Sequence, residues 1–332
     1  MTKSFIAPLP AWGLIHATGP DAEAFLHGQL TNDLLHLPQN TVQWSGYCSA
    51  KGRMLATFLV WRDGADGFFL ACDKALAPAL TKRLRMFVLR AKVVIDDASD
   101  KFTCLGMAES EMAGAPMAAA LTTEANTAGT GIQPISAARQ DGAWRVALPT
   151  VDGLSRTLVF AAADQATNFI AAQNRPIADT TDWTRLMIKA GEAWITPVTQ
   201  EAFVPQMINF DAIGGVNFKK GCYPGQEIVA RAHYRGAVKR RMYRAQVDAP
   251  AKPGDALFGS GVDGQECGLI VMAAPAGNGS GDGNPGDKCS VTSEILAVVQ
   301  MQSQATGEVR LGAADGPLLR FDSLPYAIPE PA

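Results

Sequence analysis

The stretch FKKGCYPGQEIV, residues 218–229, has the highest density of chemically capable side chains in the chain. Cys222 follows two lysines, and nearby cations stabilise a thiolate, so we expect the pKa of this thiol to lie below the free value of about 8.5. Gly221 and Gly225 permit positive φ angles, and Pro224 stiffens the turn between them. Such a loop can present one thiol and several backbone N–H groups to a ligand. The alternative is that Cys222 fills a small apolar space in an ordinary turn.

The surroundings of this loop are basic. Residues 219–244 contain eight of the 29 lysines and arginines, with Glu227 as their only acid. These cations could form a solvated strand face, or bind an anionic ligand tail or RNA. Few aromatic residues alternate with them, which counts against RNA. His233 has no Cys, His or carboxylate at metal-ligand spacing, and we interpret it as structural.

Three further segments could contribute to a site. Lys51 and Arg53 lie on a predicted turn in YCSAKGRM, where a tight polar hairpin is the simpler interpretation. Asn32 lies at a predicted helix end in HGQLTNDL, and polar residues there commonly satisfy backbone groups. Glu201 lies in the irregular segment TPVTQEAFVPQ. A buried carboxylate could read the donor edge of a heterocycle, and the alternative is an exposed loop glutamate.

Other chemistries have no support in the sequence. No Gly-x-Ser-x-Gly motif indicates a serine nucleophile, and the four histidines do not cluster at metal-ligand spacing, so no resident metal is expected. The six cysteines lie far apart without a Cys-x-x-Cys pair. This spacing argues against a zinc site or a disulfide scaffold and is typical of reduced thiols in a cytosol.

Length and composition predict a soluble protein of two or three domains. The chain has 332 residues, of which 47% are hydrophobic and 18% charged, and a net charge of −3. That charge does not favour nucleic-acid binding by the molecule as a whole. The N-terminal sequence lacks a targeting pattern, and no apolar run reaches the roughly 18 residues that span a bilayer. We therefore predict a cytoplasmic protein without membrane contact.

Local patterns predict the elements that position these residues. A helix is expected over 19–37, capped by Asp21, and a second over 73–90, capped by Asp73. A third, over 182–191, should end at Gly191. Strands are expected over 11–18, within 41–72 on both sides of the Lys51-Gly52 turn, and over 91–97, 142–149 and 156–162.

The C-terminal part has a different pattern. From residue 241 onward, short strands and turns predict a small all-β domain or barrel. The glycine-rich segment 275–288 is predicted to be a flexible hairpin loop, because a strand-like sequence follows it where a phosphate-binding loop needs a helix. Residues 108–140 have weak periodicity and receive no element.

Taken in order, these segments resemble the YgfZ family of folate-binding proteins, which are relatives of the glycine-cleavage T-protein, an aminomethyltransferase. The family signature Lys-Gly-Cys-Tyr-x-Gly-Gln-Glu is present as Lys220, Gly221, Cys222, Tyr223, Gly225, Gln226 and Glu227, and Arg231 continues it. FLHGQLTNDL and CSAKGRM are similar to two upstream family motifs. Residues 100–150 and the loop near 280 show no match.

The resemblance implies an α+β fold. Two interleaved α+β domains would occupy residues 1–235, with divisions near 45 and 130–150. A C-terminal β-barrel would occupy residues 236–332, and tetrahydrofolate or a derivative would bind in a central cavity. The implied folate contacts are Glu201 at the pterin, Asn32, and four cations at the glutamate tail. The four cations are Lys51, Arg53, Arg231 and Arg240.

The implied role is the assembly, maintenance or repair of iron–sulfur clusters in a subset of enzymes, including tRNA-modifying ones. Cys222 would be the catalytic or cluster-transferring thiol. Because clusters usually take four ligands, any ligation by Cys222 would be transient and shared with a partner. The implied partners are folate and iron–sulfur client or assembly proteins, and direct contact with nucleic acid is not expected.

One departure from the aminomethyltransferases bears on activity. Those enzymes carry an Asp-Asp pair after a Gly-Gly turn, and alignment on the Lys51-Gly52 turn places Ala56 and Thr57 there. Without that acid, charge at the folate nitrogen cannot be stabilised in the same way, which argues against aminomethyltransferase activity. The alternatives are another folate-dependent one-carbon transferase or demethylase, and an RNA-binding module using residues 231–244.

Overall fold

The computed structural model describes residues 4–110, 135–234, 238–259, 266–277 and 291–329. These ranges contain sixteen strands, six α-helices and a short 3-10 helix, Pro205–Ile208. The strands of the N-terminal part are β1 (Phe5–Pro8), β2 (Trp12–Thr18), β3 (Thr41–Cys48), β4 (Met54–Arg62), β5 (Gly67–Asp73), β6 (Val94–Asp97), β7 (Phe102–Ser110), β8 (Ile135–Gln140), β9 (Ala143–Val151) and β10 (Leu154–Ala162).

The C-terminal strands are β11 (Arg240–Val247), β12 (Ala256–Gly259), β13 (Glu266–Pro275), β14 (Ser293–Gln300), β15 (Val309–Leu311) and β16 (Leu319–Asp322). The helices are α1 (Ala22–His27), α2 (Ala77–Met86), α3 (Ala166–Ala172), α4 (Thr180–Ala190), α5 (Gln226–Tyr234) and α6 (Met301–Thr306). No helix in the described ranges is long and apolar enough to cross a bilayer.

The first sheet has ten strands in the order β1-β7-β10-β9-β8-β3-β4-β5-β2-β6. Its central strands read as continuous apolar runs: β4 is MLATFLVWR, and its residues are buried up to the half-buried Arg62. Such runs are typical of strands covered on both faces. The main hydrophobic core forms around them and extends to the helices.

This sheet is assembled from two groups of strands that alternate along the chain. β1 begins the chain but pairs with β7, through Phe5 opposite Ala108. β2 to β6 follow as a separate group, which meets the first through β3 and β8 at Thr41–Ser136 and Val42–Ile135. The chain therefore crosses between the groups twice. The division of residues 1–235 into two domains remains a prediction.

The second sheet has six antiparallel strands in the order β15-β12-β13-β14-β11-β16. A bridge between Arg310 of β15 and Leu318, just before β16, links the two edges. The sheet thus curls back on itself around a core of its own, which includes Ala245, Val247 and Ile270.

Buried polar contacts connect the second sheet to the first part of the chain. Arg241 of β11 forms a buried pair with Asp211, with Nη1–Oδ1 at 2.7 Å and Nη2–Oδ2 at 3.0 Å. The Asn209 side chain donates to the carbonyl oxygen of Met242 at 2.7 Å. The Tyr326 hydroxyl donates to the carbonyl oxygen of Gly191 at 2.7 Å. The first two contacts hold β11 against the segment that follows the 3-10 helix, and the third holds the C-terminal segment against the end of α4.

Two helix predictions were too long. α1 ends at His27 because the residues after it bind distant backbone groups: Thr31 Oγ1 donates to the Gly215 carbonyl at 2.6 Å, and Asn32 Nδ2 to the Trp44 carbonyl at 2.8 Å. Asp21 does not cap this helix with its side chain; its carboxylate accepts from the backbone N–H of Lys92 at 2.6 Å.

The second helix, α2, starts four residues after Asp73 and ends at Met86. The Asp73 carboxylate accepts from the backbone N–H of Ala75, in the turn before the helix. The predicted strands and the third helix are confirmed, and Gly191 ends α4 with a φ of 68°. Most of the glycine-rich segment lies outside the described residues.

Candidate functional site

The signature loop is fixed to the turn between β3 and β4 by two glycines. Gly225 has a φ of +79°, and a Cβ added there would lie 2.3 Å from the Ser49 carbonyl oxygen and 2.7 Å from the Gly52 nitrogen. Gly52 has a φ of +69°, and its added Cβ would lie 2.8 Å from the Ile228 Cβ. Only glycine combines a positive φ with the absence of a Cβ atom that would clash with these neighbours. Two motifs far apart in sequence therefore meet backbone to backbone.

Lys220 anchors the loop from below. Its buried Nζ donates to the carbonyl oxygens of His27 at 2.5 Å and Leu30 at 2.9 Å, and lies 4.8 Å from the ring centroid of Tyr223. Burial lowers the pKa of the Lys220 ammonium from 10.5 to about 8, against opposing effects of Asp33 and Cys222. Lys220 therefore connects the signature loop to the end of α1 through hydrogen bonds.

Cys222 presents an exposed thiol. The other four cysteines in the described residues are buried, namely Cys48, Cys72, Cys104 and Cys267. Burial raises the pKa of the Cys48 thiol to about 12, and it raises the pKa values of the other three buried thiols as well. An apolar filler would be buried, so that interpretation of Cys222 is wrong. Within the described part of the chain, Cys222 is the thiol that a reagent or partner can reach.

The rest of the signature starts α5. The Gln226 backbone N–H donates to the carbonyl oxygen of Tyr223, whose ring is buried beneath the loop. Glu227 is exposed in the first turn, where a negative charge interacts favourably with the helix dipole. Arg231 is exposed one turn later. His233 stacks on Phe218 at a centroid distance of 3.8 Å.

Glu201 lies beside the same β3–β4 turn. Its backbone N–H donates to the Met54 carbonyl at 2.8 Å, and Arg53 Nη1 donates to the Ala202 carbonyl at 2.7 Å. Glu201 adopts a left-handed φ of 60°, and its side chain is exposed, as is that of Lys51. The fold therefore brings Glu201, Lys51 and Arg53 together next to Gly225.

Two predicted folate residues lie elsewhere. Asn32 is buried, and its amide is used within the fold: Nδ2 donates to the Trp44 and Gly214 carbonyls, and Oδ1 accepts from the backbone N–H of Asp33. Arg240 lies on β11 in the second sheet, where it donates to the Glu266 carbonyl at 3.5 Å. In the ranges that the structure describes, no hydrogen bond or ion pair joins Arg240 to the other predicted residues.

The positions aligned with the transferase acids lie inside β4. Ala56 and Thr57 are both buried. The Thr57 hydroxyl accepts from the backbone N–H of Ile195 at 3.1 Å. The hydroxyl thereby braces the segment that follows α4.

A cavity of about 150 Å³, which the sequence patterns did not predict, lies between the two sheets. It is open to solvent on one side and is lined by residues of β2, the end of β5, α4, the segment after α4, and β13. Its main lining side chains are Trp12, Asp73, Trp183, Met187, Trp194 and Met272.

The cavity combines aromatic faces with two indole N–H groups that have no hydrogen-bond partner and with one buried carboxyl. Trp12 and Trp194 stack at a centroid distance of 4.0 Å. The indole N–H groups of Trp183 and Trp194 are buried without a hydrogen-bond partner. Asp73 is opposite Trp12 in the β2–β5 register, and burial raises the pKa of its carboxyl. Apolar pockets with a few unsatisfied polar groups are typical ligand sites.

A single segment connects this cavity with the thiol loop. Trp194 and Thr196 line the cavity, whereas Glu201 and Phe203 hydrogen-bond to the start of β4 beside the signature turn. Residues 194–203 thus reach both places. In the part of the chain that the structure describes, no group of three His, Cys, Asp or Glu residues could hold a metal ion.

Three similar proteins found by comparison with known proteins share one name. The chain is similar to tRNA-modifying protein YgfZ from Photobacterium profundum (32% identity, covering 82% of this chain and 80% of the relative) and from Photorhabdus laumondii (32%, 97% and 92%). The relative from Shigella boydii serotype 4 has the same name and is 30% identical, with coverage of 97% and 93%. No protein-family model matches.

A solved structure shares the fold. The glycine cleavage system aminomethyltransferase T from Bartonella henselae superposes with a TM-score of 0.63, covering 98% of this chain and 86% of that chain at 14% identity. The likeness shows the fold alone. It confirms the predicted α+β class related to the aminomethyltransferases.

Proposed function

The chain belongs to the family of proteins named tRNA-modifying protein YgfZ, and we propose that it is a cytoplasmic, tetrahydrofolate-binding accessory protein that assembles, maintains or repairs iron–sulfur clusters. One observation carries this proposal: an exposed thiol on an anchored loop is connected by residues 194–203 to a tryptophan-lined cavity. Client enzymes would include tRNA-modifying ones, which fits the name of the relatives.

The pterin ring of the folate would enter the cavity. A volume of about 150 Å³ is enough for a benzene-sized ring, so the cavity would take one of the two fused rings of the pterin. The Trp12 and Trp194 rings offer stacking surfaces, and the free indole N–H of Trp183 would donate to a ring acceptor. Asp73 would accept from the amino or ring N–H donors of the pterin.

This arrangement changes the folate contacts that the resemblance implied. Asp73, inside the cavity, takes the role of pterin reader, and the exposed Glu201 becomes a candidate for contact farther along the ligand. Lys51 and Arg53 would receive the anionic glutamate tail, and the exposed Arg231 in the last turn of α5 is a further candidate cation. Asn32 and Arg240 are no longer proposed as folate contacts. The Asn32 amide is hydrogen-bonded within the fold, and Arg240 lies on β11 in the second sheet.

Cys222 would act outside the cavity. When bound, tetrahydrofolate would supply one-carbon chemistry at its N5 and N10 nitrogens, whereas the thiol is available to a partner protein. The Lys220 ammonium interacts electrostatically with Cys222 and is held by two carbonyls, so a positive charge is fixed next to the thiol. The exposed Cys222 sulfur would ligate iron or a cluster together with ligands from a client protein.

A second candidate function is a folate-dependent one-carbon transferase or demethylase. Asp73 favours it, because a buried carboxyl with a raised pKa beside a folate could act as a general acid or base. The buried Ala56 and Thr57 offer no such group.

Turnover of methylene-tetrahydrofolate separates the two functions. For the accessory role we expect no product above the protein-free control when the purified protein is incubated with this folate and aminomethyl or methyl acceptors. A transferase would give turnover that survives Cys222→Ala and is lost in Asp73→Asn. Product is measured by chromatography of the folate pool. Turnover that survives Cys222→Ala but is lost in Asp73→Asn would contradict the accessory role.

A further inference from the structure

Large apolar side chains are exposed in one short region that begins with the last residue of α2. Met86 is 59% exposed, Leu89 90% and Val94 57%, and Phe87 is exposed between them. Single exposed apolar residues are normal on a protein surface, but a contiguous group marks an interaction site. We name this group, together with Lys82, Arg90 and Lys92, the α2 patch.

The backbone holds these side chains outward. Leu89 adopts a left-handed φ of 42°, which costs free energy for a residue with a side chain. The segment is fixed on the other side, where the Asp21 carboxylate accepts from the Lys92 N–H at 2.6 Å. An added Cβ at Gly19 would lie 2.3 Å from the Lys92 carbonyl oxygen, so the two segments are in close contact. The apolar tip is therefore presented by a packed backbone.

The charges in the segment that carries this tip are mainly positive. Between Asp73 and Asp96 the sequence contains no acid and six cations, which are Lys74, Lys82, Arg83, Arg85, Arg90 and Lys92. Arg85 pairs with Asp96 and Lys74 with Asp100. Among the described residues, no carboxylate forms an ion pair with Lys82, Arg90 or Lys92. In a chain of net charge −3, this is a local positive surface.

A groove of about 490 Å³ borders the patch on the other side of α2. Thr81, Lys82 and Lys101 line it, and the Thr81 hydroxyl is buried without a hydrogen-bond partner. Two carboxylates also line the groove, but Asp96 is bound by Arg85 and Asp97 accepts from Ser99 at 2.9 and 2.5 Å. The unused groups are therefore two ammonium groups and a hydroxyl, which suit a carboxylate.

We propose that the α2 patch docks an acidic protein partner. Apolar side chains of the partner would cover Met86, Phe87 and Leu89, and its carboxylates would meet Lys82, Arg90 and Lys92. The groove would take one acidic side chain. A nucleic acid would bind the cations but leave the apolar side chains exposed to water. A protein would contact both the cations and the apolar side chains. This inference goes beyond the proposed function and does not depend on folate binding or on Cys222.

Site-specific photocrosslinking in living cells tests the proposal. A benzophenone side chain is placed at Leu89, and for control at Ile177, which is 67% exposed on another surface. We expect a dominant protein adduct at position 89 that is absent at 177, with the crosslinked peptide of the partner, sequenced by mass spectrometry, rich in Asp and Glu. The double variant Arg90→Glu, Lys92→Glu should lower its yield about tenfold, since reversed charges oppose association.

Other outcomes would overturn the proposal. These are no adduct above the level at 177, an adduct with RNA or a second copy of this chain, or an adduct insensitive to the charge reversal. Binding of the purified protein to bulk tRNA or to phosphatidylglycerol vesicles, if lost in Phe87→Ser, would equally assign the patch to another occupant. The circular dichroism spectrum and the midpoint of thermal unfolding should be unchanged in these variants, which shows that they fold without relying on the proposed function.

Discussion

Replacing Gly225 with Ala is expected to lower the free energy of unfolding by about 2–4 kcal/mol. Two costs add: the φ of +79° disfavours a side chain, and the new Cβ would lie 2.3 Å from the Ser49 carbonyl oxygen. Neither neighbour can yield easily, since the close atoms are backbone atoms of the β3–β4 turn. The loss is measured by chemical denaturation followed by circular dichroism.

Gly64→Ala is the matched control. Gly64 has a φ of +74°, nearly that of Gly225, but nothing lies within 4 Å of an added Cβ. The free energy of unfolding of Gly64→Ala should fall only by the cost of placing a side chain at positive φ, about 1–2 kcal/mol. The difference between the two variants therefore reports the close contact between the signature loop and the turn. Equal losses would contradict the packing described for these glycines.

Asp73→Asn is expected to weaken tetrahydrofolate binding about ten- to hundredfold, the effect of removing a charged hydrogen-bond acceptor. Burial raises the pKa of Asp73, so the folded state disfavours its charged form. The stability that this group contributes is therefore present below its unfolded pKa and lost as the pH rises through its folded pKa. The neutral Asn avoids that loss, and we expect the variant to be no less stable than the wild type at neutral pH.

Calorimetric titration gives the affinity, and two further variants complete the experiment. Glu201→Ala tests the exposed carboxylate, and a smaller effect than that of Asp73→Asn is expected. Asp100→Asn, at a nearly fully exposed side chain, should change nothing. If Asp73→Asn bound folate like the wild type while Glu201→Ala did not, the pterin would have to be placed at Glu201.

The thiol loop was predictable because its determinants are local. Gly221, Cys222, Pro224 and Gly225 are close together in sequence, and the turn at Lys51-Gly52 was recognisable from its residue types. Continuous apolar runs such as β4 likewise identify buried strands before any contact is known. The resemblance to the YgfZ family, carried by these motifs, is confirmed by the relatives.

The cavity was not predictable in the same way. Trp12, Asp73 and Trp183 come from three distant parts of the chain, and the strand register and the packing of α4 bring them together. On α4, Trp183 and Met187 are four residues apart, but that spacing equally describes an ordinary core helix. The length of α1 was also not predictable, because contacts of Thr31 and Asn32 with distant backbone groups end it.

The central claim is that Cys222 supports iron–sulfur enzymes, and a complementation experiment tests it most directly. Cells that lack the native protein receive the wild type, Cys222→Ala, or the neighbouring exposed control Lys219→Ala, and the activities of iron–sulfur enzymes are measured. We predict that Cys222→Ala leaves these activities at the level of cells without the protein, although the purified variant folds and binds tetrahydrofolate normally, whereas Lys219→Ala restores them. Full restoration by Cys222→Ala would contradict the thiol-centred account.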